Sequence, residues 1–416
     1  MPRYRGNDEF VCGECFGDQG MKDFCSNHAE RTECDFCEAT GDEPIAAPLD
    51  EVIDHINATI HRYYDDPANS GLPYESAEGG WQGQTWCTYE IFDELGLDFP
   101  QDVDSRLHNA ISNGLDNDLW SEAEPYALSP TQQLKFSWER FCEMVKHQRR
   151  YFFLHEEKKK KQWPDNDELY SPAEILRAIF SFAERAGAFV PLPASTPLYR
   201  ARWQDKGKHY VTAGTLGPPP VDHAIKTNRM SPPGVVMTYA AEDRDTALAE
   251  TADAPGTYAV GKFVNDRELL ILDLTRLPEV PSVFAELPDT MGDPRPQLGF
   301  LHSISRDISR PIARDDRVHV EYVPTQIVTE YVRTAVKIGK RKIDGIRYNS
   351  SRLHAATALV LFADQSNLIL DKDERPDFYH TDDRWLRLAK ATEVKVVEKD
   401  IRRWAAKPKH GFSVVA

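Results

Sequence analysis

Arg229, Tyr239 and Glu250 fall within one stretch, Asn228 to Glu250, which reads NRMSPPGVVMTYAAEDRDTALAE. A guanidinium grips oxyanions with paired N–H donors, an aromatic ring stacks on a planar base, and a carboxylate holds hydroxyls or a developing positive charge. An anionic substrate with a ring and hydroxyls needs all three. The residues between them predict how they meet: a Ser-Pro-Pro-Gly turn after Arg229, a short apolar strand from Val235 to Tyr239, and a helix beginning near Glu242–Asp243. Acidic residues suit that helix start, where the macrodipole is positive. The spacing alone also fits a surface arginine, a strand tyrosine and a solvated glutamate, because polar residues are mostly exposed.

A second chemistry sits at the N-terminus, where five of the seven cysteines fall within residues 12–37. Cys12-x2-Cys15 and Cys34-x2-Cys37 stand 18 residues apart, a spacing that suits a four-thiolate zinc site. Each pair on a tight turn brings two thiolates together, and the second pair closes the tetrahedron. So short a segment buries little core, so a metal would supply its folding energy. Cys25-x2-His28 offers two further ligands, more than one zinc needs; the expected set is Cys12, Cys15, Cys34 and Cys37, with Cys25 and His28 spare. The expected zinc is structural.

Three regions must position these groups. Residues 1–45 form the zinc-ribbon module and residues 46–160 a helical domain. Residues 166–400, with a core at 190–375, form a mixed α+β domain. In the second region, Leu49, Val52, Ile53, Ile56 and Ile60 keep helical spacing. Helices are expected again at Thr88–Leu95, Asp102–Leu115 and Thr131–His155, separated by a Gly-rich aromatic loop, Asn69–Trp86, with a contact or lid role. The last helix holds Arg150-x4-His155, which matches the Arg-x4-His pattern of HEPN ribonucleases; basic residues also suit a helix C-terminus for stability alone. After the polar boundary that follows Lys158–Lys161, a helix is predicted over Pro172–Ala186, ended by Gly187. Beyond Thr196 short strands take over: Pro197–Trp203, Gly256–Val264, Glu268–Asp273 and Val318–Tyr322. A helix begins at Pro324, and the runs GIRYNSS, ATALVLFAD and NLILD add three strands. Strands mixed with single helices set the expected fold class, α+β. The tail beyond Lys390 is basic and poorly patterned, and a last strand with a mobile end is the expectation there.

Composition narrows the partners. Fifty Lys and Arg against 67 Asp and Glu leave a net charge of −17. Broad binding to duplex nucleic acid is disfavoured, because phosphate neutralisation supplies most of that affinity. No apolar run approaches the ~20 residues of a membrane-spanning helix, and the first ten residues lack a signal-peptide core. The expectation is a soluble cytoplasmic protein with no membrane partner.

Four motifs in order resemble the RES-domain family: Leu198-Tyr199-Arg200; Arg229 in its turn; Tyr239 on the next strand with Glu250 on the next helix; and Gly345-Ile346-Arg347-Tyr348-Asn349-Ser350-Ser351-Arg352. Two departures stand out: Asn-Arg-Met-Ser replaces the commoner Gly-Arg-Trp-Asn, and the Ser350–Ser351 doublet leaves the serine one residue ambiguous. Residues 1–160 resemble the zinc-bearing HEPN/RES N-terminal domain. The resemblance implies an ADP-ribosyltransferase-like fold and an NAD-degrading toxin of toxin–antitoxin type, or an anti-phage defence effector. Such an enzyme splits the nicotinamide–ribose bond as a phosphorylase or glycohydrolase. NAD is then the substrate, inorganic phosphate a possible acceptor, and an antitoxin or regulator the partner of the N-terminal domain. Implied catalytic residues are Arg229, Tyr239, Glu250 and Ser350; implied substrate-binding residues are Tyr199, Arg200 and Arg352. Two other activities fit the same residues: ADP-ribosyl transfer to a macromolecule, and RNA cleavage through Arg150 and His155.

Overall fold

The structure, a computed structural model, describes residues 8–152, 169–288, 292–311, 317–370 and 383–405. Its contacts divide the chain into two units, 1–132 with 279–296, and 133–278 with 297–416. Among the described residues no helix is long and apolar enough to cross a membrane.

The first unit opens with β1 (Phe10–Cys12), α1 (Gln19–Asn27), β2 (Ala46–Pro48) and α2 (Leu49–Ile60), with β1 antiparallel to β2. Leu49, Val52, Ile53, Ile56 and Ile60 of α2 are all buried, as their spacing predicts. They share one core with α3 (Thr88–Leu95) and α4 (Arg106–Gly114), which is shorter at its start than expected. The loop Asn69–Trp86 contains a small hairpin, in which Tyr74 pairs with Trp81 and their rings meet edge-on at 5.0 Å. Residues 279–296 complete this unit from far along the chain. Phe284 is fully buried in its core, its carbonyl oxygen accepts from His55 Nε2 at 2.8 Å, and Ser282 Oγ donates to Asp18 Oδ1 at 2.8 Å.

The second unit begins earlier than residue 160. Helix α5 (Pro130–His147) buries Leu134, Trp138, Phe141, Met144 and Val145 in the same core as α6 (Pro172–Arg185). The chain leaves helical geometry after His147, and residues 153–168 lie outside the described set. The strands that follow are β3 (Phe189–Leu192), β4 (Pro197–Trp203), β5 (Thr238–Ala241), β6 (Gly256–Asn265), β7 (Leu269–Asp273), β8 (Gly345–Asn349), β9 (Thr357–Leu361), β10 (Leu368–Ile369) and β11 (Leu386–Val396). They form one mixed sheet in the order β10-β11-β6-β4-β5-β9-β8-β7-β3. Between β4 and β5 the ladder shrinks to one registered pair, Ala241 with Tyr199. Gly345 opens β8 because a Cβ there would stand 2.4 Å from the Val360 carbonyl oxygen.

One face of the sheet carries two helical groups. Helices α5, α6, α9 (Arg295–Ser309) and α11 (Val323–Thr334) cover the β5–β7 side, and α8 (Arg244–Thr251) covers the β4–β6 side. Helix α7 (Ala213–Leu216) packs on the reverse face through Leu216. One expectation is corrected. Val318–Tyr322 is no strand: Val318–Glu321 is a helical turn, α10, leading into α11, and its valines are only half-buried, with no strand paired to them among the described residues. The last strand expected past Lys390 begins earlier, as Leu386–Val396, and is registered with β6 over its whole length; residues 406–416 lie outside the described set.

The acidity of the chain is confined to its start. Residues 1–132 hold 6 Lys and Arg against 28 Asp and Glu, whereas the remaining residues hold 44 against 39. The sheet-bearing part is therefore slightly basic.

Phe141 is 1% exposed in the core that α5 shares with α6. Phe141→Ala should destabilise the second unit by ~3–5 kcal/mol, the range for emptying a buried aromatic site. Chemical denaturation followed by near-UV dichroism measures it; a loss below ~1 kcal/mol would mean that α5 does not belong to that core.

Candidate active site and metal centre

Four sulfurs converge at the N-terminus. Cys12 stands 3.8 Å from Cys15 and 3.4 Å from Cys37, and Cys15 stands 3.6 Å from Cys34. A tetrahedron of thiolate bonds ~2.3 Å long has edges of ~3.8 Å, so the set fits one metal ion. Cys12 and Cys15 flank the turn after β1, and the Cys12 backbone N–H donates to Cys34 Sγ at 3.3 Å, which locks the two pairs together. Cys25 and His28 stay outside the cluster. Burial, then the charges of Cys12 and Cys34, pushes the Cys25 thiol up to about 12. His28 stacks on Phe24 at 4.3 Å and bonds Glu286 at 3.1 Å.

The second site lies over β5, on the sheet face that carries the two helical groups. Asp243 caps α8 by accepting from Thr246 N at 2.8 Å, and Glu250 stands at the far end of that helix. Its Oε1 accepts from Ser350 Oγ at 2.5 Å, the short length of a hydroxyl–carboxylate bond. Ser350 Oγ in turn accepts from the backbone N–H groups of Arg352 and Leu353, both at 3.2 Å. Glu250 is thus fixed by a hydroxyl that a tight turn holds. The neighbouring Ser351 plays another part, as its Oγ accepts from Arg229 at 3.4 Å. The serine of the doublet that meets the carboxylate is Ser350.

Tyr239 comes from β5 on the same face, and its hydroxyl meets the Arg229 turn: it accepts from Met230 N at 3.2 Å and lies 3.0 Å from Ser231 Oγ. The Ser-Pro-Pro-Gly segment can turn there because Gly234 adopts a φ of +87°. Burial pushes the Tyr239 phenol up to about 12. Tyr348 on β8, which the sequence reading left out of the site, is 5% exposed, and burial followed by the Glu250 charge holds its phenol well above the usual range. Both phenols are neutral at physiological pH, which suits a ring surface or hydrogen-bond donor and excludes a tyrosinate base.

The expected cations all have protein partners. Arg200 donates to Leu216 O at 3.1 Å and across the β4–β5 gap to Tyr239 O at 3.0 Å; burial lowers its pKa to about 10. Arg229 donates to Ile308 O at 2.7 Å and Arg310 O at 2.6 Å, closing the end of α9, and lies over the Tyr322 ring at 5.5 Å. Arg352 pairs with Asp253 at 2.8 Å. Of these, Arg229 lies with Glu250 and Tyr239 near enough to Tyr348 to act on its phenol, and it bonds Ser351 beside Ser350. Tyr199 faces the same side of the sheet and packs beside α8. Arg200, its neighbour on β4, points to the reverse face. Arg150 is exposed and folds back towards Lys146 O at 3.4 Å, and its proposed partner His155 lies outside the described residues.

These features define a mixed α+β domain with a carboxylate-centred site, preceded by a four-cysteine module. Residues 27–159 match HEPN/RES N-terminal domain 1, and residues 197–385 match the RES domain. The chain is a RES-domain protein with a HEPN/RES N-terminal domain, and at family level the RES domain makes it an NAD-related, toxin-type enzyme. No curated protein and no solved structure matches it.

Two predictions follow from this geometry. Purified protein should carry about one equivalent of metal, and Cys34→Ser should release it, because three thiolates hold an ion far less firmly than four; metal-free wild-type protein would refute the centre. Ser350→Ala strands two backbone N–H groups and removes one hydrogen bond from Glu250, so it should cost ~1–3 kcal/mol in unfolding free energy. Ser351→Ala should cost less, and equal losses in thermal melts would contradict the division of labour between the serines.

Proposed function

We propose that the second unit splits the nicotinamide–ribose bond of NAD, as an NAD phosphorylase or an NAD glycohydrolase, and that this loss of NAD is the basis of a toxin or defence role. The observation that carries the reading is the Ser350–Glu250 hydrogen bond, which fixes a carboxylate beside two neutral phenols. As the C1″–N bond breaks, its electron pair returns to the pyridine nitrogen and positive charge gathers on the ribose. A preorganised carboxylate lowers the energy of that state without reorganising. Phosphate or water then forms the new C1″–O bond, giving ADP-ribose 1″-phosphate, or ADP-ribose and a proton. Tyr239 or Tyr348 supplies an aromatic surface for the nicotinamide ring. Arg229 holds the substrate diphosphate with N–H groups that its carbonyl partners leave, since a guanidinium has five. The basic balance of residues beyond 132 favours the dianionic diphosphate of the dinucleotide.

The metal of the four-cysteine module is proposed to be zinc in a structural role. Four thiolates leave it no open position for substrate. Zinc would fix the residue 10–48 fold and take no part in the chemistry.

Glu250→Gln keeps the side chain's size and removes its charge. NAD consumption should fall ~10²–10³-fold, as for the loss of one preorganised electrostatic group, with the thermal melt little changed. Incubation with NAD, with and without phosphate, followed by chromatography of the products, identifies the acceptor. A Glu250→Gln protein that consumes NAD at the wild-type rate would overturn the mechanism. Label retained on protein or nucleic acid would show ADP-ribosyl transfer instead.

A further inference from the structure

Arg347 and Tyr348 are consecutive on β8, so their side chains leave opposite faces of the sheet. Tyr348 enters the Glu250 site, while Arg347 goes to the reverse face and is only 9% exposed. There it bridges two carboxylates: one terminal nitrogen meets Asp273 Oδ2 at 2.8 Å and the other meets Glu242 Oε1 at 2.7 Å. Its Nε is buried without an acceptor among the described residues. Asp273 cannot supply one easily, because its Oδ1 already accepts from Thr275 N at 2.9 Å and Thr275 Oγ1 at 2.6 Å. A buried N–H that lacks an acceptor is costly, so this position calls for one.

A cavity of about 270 Å³ adjoins the group, lined by Arg347, Asp273, Arg276, Ala188, Val190 and Leu192. Arg276 is exposed and makes no ion pair among the described residues. Arg347 is already paired with Asp273 and Glu242, so the guanidinium at the space with no ion pair among the described residues is that of Arg276. The volume is several times the ~30 Å³ share of one water and below the ~300–1,000 Å³ of drug-sized ligand sites. An anion with several acceptor oxygens would pair with Arg276 and give the orphaned donor an acceptor.

We propose that this pocket, on the reverse face of the sheet from Glu250, binds a small tetrahedral oxyanion of the phosphate and sulfate class between Arg347 Nε and Arg276. The bound anion would complete the bridge that ties β5, β7 and β8 through Glu242, Arg347 and Asp273. Glu242 immediately precedes Asp243, the cap of α8, so the same bridge steadies the start of the helix that ends in Glu250. The site stands apart from the NAD reading, since none of its residues contributes to the cleft over β5.

Sulfate is the probe, because it has the shape of phosphate and does not serve as a glycosyl acceptor here. The full chain is titrated with sulfate by calorimetry and thermal melts, at constant ionic strength against chloride. Saturable binding and a rise in melting temperature are expected, with Arg276→Gln weakening the binding at least about tenfold through loss of one charge-assisted contact. Arg229→Ala should leave it unchanged. Crystals soaked in selenate should show an anomalous peak within hydrogen-bond distance of Arg347 Nε. Glycerol 2-phosphate, run in parallel, separates a free anion from a phosphoryl group on a carrier; competition with sulfate by either source supports the pocket. Sulfate acting no more than chloride, binding abolished by Arg229→Ala and kept by Arg276→Gln, or selenate seated elsewhere would overturn the proposal.

Discussion

The single registered pair between β4 and β5 is the constraint from which the active face is built. Where two strands part, the carbonyls along the gap lose their ladder partners, and buried carbonyls need donors. Arg200 supplies one, placing a guanidinium N–H on Tyr239 O where a strand would have placed a backbone N–H. Burial weakens the base to about 10, yet it stays charged at neutral pH and keeps its donors. Tyr239 is thereby held from behind, and its hydroxyl holds the turn that aims Arg229. Arg200, expected as a substrate-binding residue, thus also sets the position of Tyr239 and of the Arg229 turn.

The carboxylate is fixed by a different device. Ser350 Oγ faces three partners at once, donating to Glu250 and accepting from two backbone amides. An oxygen so engaged has little freedom to rotate, and neither has the carboxylate it serves. Helix α11 fixes the opposite wall: Gln326 Nε2 donates to Asn228 O at 2.8 Å, and Thr325 Oγ1 to Arg229 O at 2.6 Å. Both walls are thus tied by hydrogen bonds to backbone groups, so the cleft depends little on the rotamers of exposed side chains. Rigid polar groups around a charge-developing centre are what electrostatic catalysis requires.

Parts of this were legible in the sequence because they rest on local rules. Two Cys-x2-Cys pairs specify a four-sulfur cluster by spacing, and Asp243 before an alanine-rich run specifies a capped helix. Strands covered on both faces, such as β5 and β9, announce themselves as apolar runs. Other parts depend on tertiary partners. Ser350 and Ser351 are indistinguishable as text, and only the turn geometry gives one to Glu250 and the other to Arg229. Tyr348 stood in the Gly345–Arg352 motif without an assigned role, because its place beside Glu250 comes from what packs next to it. The partners of Arg200, Arg229 and Arg352 are carbonyls and a carboxylate brought close by folding. Strand β11 left only a weak trace because most of its residues remain partly exposed between its neighbours, which blurs the two-residue period. Whole-chain charge says nothing of its distribution, since an acidic start masks a mildly basic remainder.

The return of residues 279–296 to the first unit has a consequence in time. Phe284 and Ser282 fill and tie a core whose other members end before residue 133, so that unit cannot be finished when its own first 132 residues have been made. At translation speeds of ~5–20 residues per second, the missing piece arrives roughly 10–30 s later. By then the ribosome has already released the segment with Arg229, Tyr239 and Glu250, although the Ser350 turn is still unmade. During synthesis the N-terminal unit and the Ser350–Glu250 pair are therefore both completed late, and neither is complete in a chain cut short before its last third.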